Sequence, residues 1–207
     1  GAEDFYFRKR VVSQAPYILE QNHVPNIRDF QNPNVQTVSQ ADADTGRVPW
    51  GRRVQWEPAQ GSMAIHVGDQ ATGLYHAAHR HHAGAYLLQM RGEGYSLLYF
   101  GYNAEDMERV DWKYGTIFVP ATAQFHHHFG LSATETGRHL AIKWHNQLQH
   151  PNFKRWKLAV DLRNGGDHIG FDQENPKIRG LFESELKKRG LTIKMPPREE
   201  LIKLGTR

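Results

Sequence analysis

The sequence predicts an all-β barrel or sandwich with an extended N-terminal arm and one C-terminal α-helix. Three observations predict it. Residues 54–144 break into short apolar–polar runs separated by turn residues, a spacing expected of sandwiches and barrels. Residues 1–50 are polar, are interrupted by Pro16, Pro25, Pro33 and Pro49, and sustain neither the period of a strand nor that of a helix. Beyond about residue 175 the apolar spacing becomes helical.

Taken in order, the arm offers Val11-Val12 and Tyr17-Ile18-Leu19 as short strands able to pair at a sheet edge. The barrel, residues 51–150, is expected to use Val54–Trp56, Met63–Val67, Tyr75–His81, Tyr86–Met90, Tyr95–Phe100, Thr116–Val119, Phe125–Phe129 and Leu140–Trp144. Gly92-Glu93-Gly94 between two apolar runs predicts a hairpin connection, because glycine takes the positive φ that a tight turn demands. Tyr114-Gly115 and Pro120 bracket a further strand. In the extension, residues 151–207, Asn175-Pro176 reads as an N-cap and first helical position. Ile178, Leu181, Phe182 and Leu186 share one face and Gly190 lies just past the end, giving a helix over about 176–189 packed on the barrel's outside.

Composition bounds the function. At 207 residues, 39% hydrophobic and 23% charged, the chain can bury one core. It has no cysteine, which excludes disulfides, thiolate metal sites and a cysteine nucleophile, and leaves His, Asp and Glu as ligands. The net charge of +4 is spread along the chain, and its densest group, Lys187-Lys188-Arg189, suits a solvated helix end, so no nucleic-acid partner is expected. With neither a membrane-length apolar run nor a basic leader, the expected location is the cytoplasm and no membrane partner is expected.

Histidine is concentrated in His79-Arg80-His81-His82 and His126-His127-His128, both on strand-like stretches. Side chains two apart on a strand share a face, so His79 pairs with His81 and His126 with His128, and two such pairs on facing strands would converge on one ion. By the same alternation His82 and His127 point the other way, and His76 differs in parity from His79. On the run that follows, Ala85, Leu87, Gln89 and Arg91 share one face, and Gln124 shares that of His126. Gln89 is a candidate to orient substrate or water, and Arg91 to pair a substrate carboxylate. Arg52 and Arg53 are further candidates for that pairing. Trp50, Trp56, Trp112, Trp144, Phe118 and Phe125 are numerous enough to line an apolar pocket or to form plain core.

The succession His79-x-His81, Gly92-x-Gly94, Gly115, Pro120 and His126 resembles the two motifs of the cupin superfamily, and through Lys143 it covers about 65 residues. The resemblance implies a double-stranded β-helix, the jelly-roll barrel of that superfamily, with His79, His81 and His126 as metal ligands. The polar arm at residues 1–50 and the exposed barrel edges suggest a homodimer, with the arm or an edge strand crossing to the partner, as is common in that superfamily. His128 is a fourth ligand, a support to the ligands or a substrate contact. The chain departs from the pattern in three places: Ala85 stands where the family places a glutamate ligand, Gly130 where it places an asparagine, and the spacing from Pro120 to His126 is one residue longer.

Three neutral imidazoles leave the full charge of a divalent ion uncompensated, which favours anionic chelating ligands. In this the chain is similar to the gentisate-type and β-diketone dioxygenases. The resemblance implies an Fe(II) dioxygenase acting on a small anionic chelator: a phenolic acid, an enolisable acid or a β-diketone. Manganese, nickel and zinc also accept such ligands. The same residues suit a non-redox lyase, isomerase or decarboxylase, and a degenerated site suits a cupin that binds a small molecule without turnover.

Overall fold

The computed structural model describes residues 10–11, 18–20, 27, 53–56, 58, 63–81, 84–144 and 162–205. Two sheets face each other. The larger is built from β1 (Arg10–Val11), β2 (Ile18–Glu20), β3 (Arg53–Trp56), β4 (Met63–Gln70), β5 (Ala85–Arg91), β8 (Ile117–Phe118) and β10 (Gly137–Trp144), in the order β1-β2-β3-β4-β10-β5-β8. The smaller is β7 (Glu108–Lys113), β6 (Glu93–Tyr99) and β9 (Phe125–Gly130), in that order. Pairing is antiparallel except between β2 and β3. The fold is the double-stranded β-helix barrel expected from the sequence.

The two runs read as edge strands in the arm do pair with each other, and β2 adds to the sheet edge. Two expectations change. Gly92 makes no hairpin, because β5 and β6 belong to different sheets; it is the corner at which the chain crosses from one sheet to the other. Its φ of 72° and the approach of Gly137 Cα to 2.7 Å from where a Cβ would stand both require glycine. The run Tyr75–His81 forms no continuous strand, and pairs only through isolated bridges such as Tyr75 to Phe129 and His79 to His126. One strand, β7, was not among the predicted runs.

The aromatic core lies outside the barrel. Tyr95, Leu97 and Tyr99 of β6 and Phe125 and Phe129 of β9 form the outer face of the smaller sheet, and all five are buried. Against them pack Ile169, Phe171, and Ile178, Phe182 and Leu186 of α1 (Pro176–Lys188), with Leu201 of α2 (Arg198–Gly205). Phe182 is fully buried, with ring centroids 5.4 Å from Tyr75 and 5.2 Å from Phe129, and its burial stabilises by about 2–3 kcal/mol. The helix starts as expected, Asn175 accepting from the Lys177 amide with Pro176 next in line. Among the described residues no helix is long and apolar enough to cross a membrane.

Candidate metal centre

With apolar side chains gathered outside, the inner faces of the sheets are polar. On β9 the inward residues are His126 and His128, and Ser96 on β6 is their neighbour, paired with His128. On the larger sheet they are Ala85, Leu87 and Gln89 of β5, His139, Ala141 and Lys143 of β10, and Ala64, His66, Gly68 and Gln70 of β4.

His79, His81 and His126 come together as the sequence predicts, with ligand nitrogens all within 4.8 Å of one another. His79 faces His126 through a bridge in which each backbone amide donates to the other's carbonyl, at 3.3 and 2.9 Å. The rings are 4.3 Å apart centre to centre, and His81 stands 4.9 Å from His126 at 77°. His126 Nδ1 lies 3.0 Å from the Gln124 carbonyl, to which it donates, leaving the Nε2 lone pair for a metal. Nitrogens on one ion lie at most about 4.2 Å apart, so the cluster closes onto a divalent ion with small side-chain shifts. The residues fit the metal.

Ala85 is buried on the inward face of β5, so no carboxylate stands where the family pattern places one. Its cross-strand partner is Lys143, a residue the sequence reading passed over, which also pairs with Ala64.

His128 sits beside the cluster, 5.6 Å from His126 ring to ring. Trp112 Nε1 donates to Ser96 Oγ at 3.1 Å, and Ser96 Oγ is 2.7 Å from His128 Nδ1. Ser96 thereby engages Nδ1 and leaves Nε2 to another partner. Burial first, then the neighbouring histidines, lowers the pKa of this ring. The nitrogens that gather as for one ion are those of His79, His81 and His126, and His128 stands beside that group.

Arg91 is a correction. The β5–β10 register slips, Gln89 opposite His139 but Arg91 opposite Arg138, so β5 carries one extra residue there. The bulge turns Arg91 away from the face of Gln89. Its Nε donates to the Thr136 carbonyl at 2.8 Å, and its guanidinium lies 3.6 Å from Glu135 and 3.8 Å from Asp69. Gln124 closes its own loop, its Oε1 accepting from the Ala121 amide at 2.9 Å. His127 points outward as expected and is buried, its Nε2 2.6 Å from the Tyr99 hydroxyl. His82, Trp50, Arg52 and the side chain of Arg53 lie outside the described residues.

Sequence reading also missed an imidazole deeper in the barrel. His139 lies over Gly68, where a Cβ would come within 2.9 Å of its Cε1. The two same-face neighbours of that glycine hold the ring: His66 Nε2 is 3.2 Å from His139 Nε2, and the Gln70 side chain bonds Nδ1. The ring of His128 is 5.6 Å away across the barrel. The signal was present as the alternation His66-x-Gly68-x-Gln70.

No family model and no curated protein matches the chain. Solved structures do. The cupin domain of Cnp3 from Schizosaccharomyces pombe is 11% identical over 47% of this chain and 63% of that one, with a TM-score of 0.40. A cupin 2 conserved barrel domain protein from Rhodopseudomonas palustris is 14% identical over 45% and 60%, with a TM-score of 0.38. The oxalate decarboxylase of Lactobacillus farciminis is 11% identical over 46% and 29%, with a TM-score of 0.40. The chain thus spans less than two thirds of each. Two of these three neighbours are cupin domains, and the chain is similar to them over less than half of its length.

Proposed function

We propose that the chain is a metal-dependent enzyme, an Fe(II) dioxygenase acting on a small anionic chelator such as a phenolic acid, an enolisable acid or a β-diketone. One observation carries this reading: three converging imidazoles with an inward alanine, and not a carboxylate, beside them. His79, His81 and His126 would hold the ion, and the Gln124 carbonyl fixes the His126 tautomer. Bound there, iron would supply a Lewis acid with open positions and electron transfer to dioxygen. His128 presents its Nε2 to the substrate and stays in place because Ser96 and Trp112 hold it. Manganese, nickel and zinc suit the same donors, so metal identity is part of the test.

Protein purified without chelators should carry about one iron per chain and consume dioxygen with at least one member of a panel of dihydroxyaromatic acids and β-diketones. Absence of metal together with no affinity for added iron(II) would defeat the proposal. Substrate loss without oxygen uptake would replace it with lyase, isomerase or decarboxylase chemistry at the same ion.

A further inference from the structure

Beyond His128 the barrel interior contains a buried group that the metal centre does not use. Gln89 is 1% exposed, and neither its amide nitrogen nor its amide oxygen has a hydrogen-bond partner. It faces inward on β5, directly across from His139. Gln70 Oε1, on the far side of the same imidazole, is likewise buried and without a partner. A buried amide left unsatisfied costs about 1–3 kcal/mol, and folded proteins seldom retain one with no counterpart. Here one donor and two acceptors converge around a ring that His66 and Gln70 clamp from both sides.

We propose that this end of the barrel receives the distal group of the substrate, and that the group is one that both donates and accepts, such as a carboxamide or a hydroxyl. This rests on the reading of the three-histidine cluster as a chelation site, since it concerns the other end of the same molecule.

Gln70, Gln89, Leu87, His66 and His139 line this end, and Arg53 stands opposite Gly68 in the β3–β4 register with its side chain outside the described residues. Arg91, which parity alone would have placed here, is turned out by the bulge onto Thr136, Glu135 and Asp69. The nearest carboxylate along β4, Asp69, faces the other way and is held by Arg138 at 2.7 Å. His66 Nε2 and His139 Nε2 lie 3.2 Å apart. A carboxylate offers acceptors only and would leave the Gln89 and Gln70 oxygens unpaired, and an ammonium offers donors only and would leave the Gln89 amide nitrogen unpaired.

The test uses iron(III)-loaded full-length protein and three catechols that differ only at the ring position remote from the chelating oxygens: 4-methylcatechol, 3,4-dihydroxybenzamide and 3,4-dihydroxybenzoate. Binding is read from the catecholate-to-iron absorption band. The amide should bind about tenfold more tightly than the methyl compound, and the carboxylate more weakly than the amide. In Gln89→Leu the advantage of the amide should shrink to within about twofold, while the affinity for 4-methylcatechol and the iron content hold.

Equal affinities in the parent protein, or a preference for the carboxylate, would overturn this inference and leave the chelation site standing. An amide preference that survives Gln89→Leu would overturn it as well. Absence of the band with all three catechols would remove the chelation reading and this one with it. The ordering in the parent protein decides the matter even if the variant does not fold.

Discussion

Glu174→Gln isolates one buried carboxyl at the seam between the barrel and its C-terminal extension. Glu174 is 4% exposed, accepts from the Tyr75 hydroxyl at 2.7 Å, and has its other oxygen 3.8 Å from His127 Nδ1. Burial raises its pKa from 4.5 to about 7, against the lowering pull of the Tyr75 hydrogen bond and of Arg198 and Arg179. The folded state therefore binds a proton that the unfolded state has released. The stability this contributes is complete below pH 4.5 and is lost as pH rises through about 7. At about 1.4 kcal/mol per pH unit, the loss by pH 8 is on the order of 3 kcal/mol. Glutamine keeps an acceptor for Tyr75 and never ionises, so the variant should exceed the parent at pH 8 by roughly that amount, or by about 6–10 °C in Tm for a chain of this size. At pH 4.5 to 5 the two should nearly coincide. Melting curves of both proteins across that range read the difference, and subtraction removes the groups that Glu174 does not touch; His127, whose burial lowers its pKa to about 3, stays uncharged throughout it. A Tm difference that does not change with pH would refute the reasoning.

Three further outcomes are expected. Gly94→Ala places a Cβ 2.0 Å from the Phe129 carbonyl oxygen and 2.6 Å from the Trp112 ring, within a strand paired on both sides. It should cost more than about 4 kcal/mol, read by denaturant titration or as failure to accumulate folded protein; near-parental stability would contradict the packing described. Ala85→Glu should tighten divalent-metal binding and weaken a bound acetylacetonate at least about fivefold, because a unit charge about 4 Å away is worth 1 kcal/mol even in bulk water; calorimetric titrations showing unchanged anion affinity would argue against an electropositive centre. Gly68→Ala pushes on the clamped ring of His139 and should destabilise by about 1–3 kcal/mol while metal content, measured by elemental analysis, stays at the parental level.

Strand alternation made the metal ligands legible, because it is a local property that survives an irregular backbone. His79 and His81 reach the same three-histidine cluster although their run never becomes a continuous strand. Where alternation breaks, so does the reading. Arg91 follows Gln89 by two positions, and only pairing with β10 reveals the bulge that turns it. The corner at Gly92 was read as a hairpin because glycine serves both geometries, and the difference lies in which strands pair, a long-range fact. The cradle of His139 needed the β4–β10 register, since His66 and His139 are 73 residues apart in the chain.

The polar interior and the external core are two sides of one energetic arrangement. A barrel lined by His66, Gln70, Gln89, His126, His128 and His139 gains little from burying that lining, and unsatisfied amides within it detract. The apolar burial that holds the smaller sheet comes instead from Tyr95, Tyr99, Phe125 and Phe129 against Phe171, Ile178, Phe182 and Leu186. Because successive residues of β9 alternate between these environments, the strand that carries His126 and His128 inward is held in register by Phe125 and Phe129 outward. Among the described residues, the C-terminal extension thus acts on the candidate site without adding a member to the three-histidine group: it supplies the packing that allows β9 to keep its inner face polar.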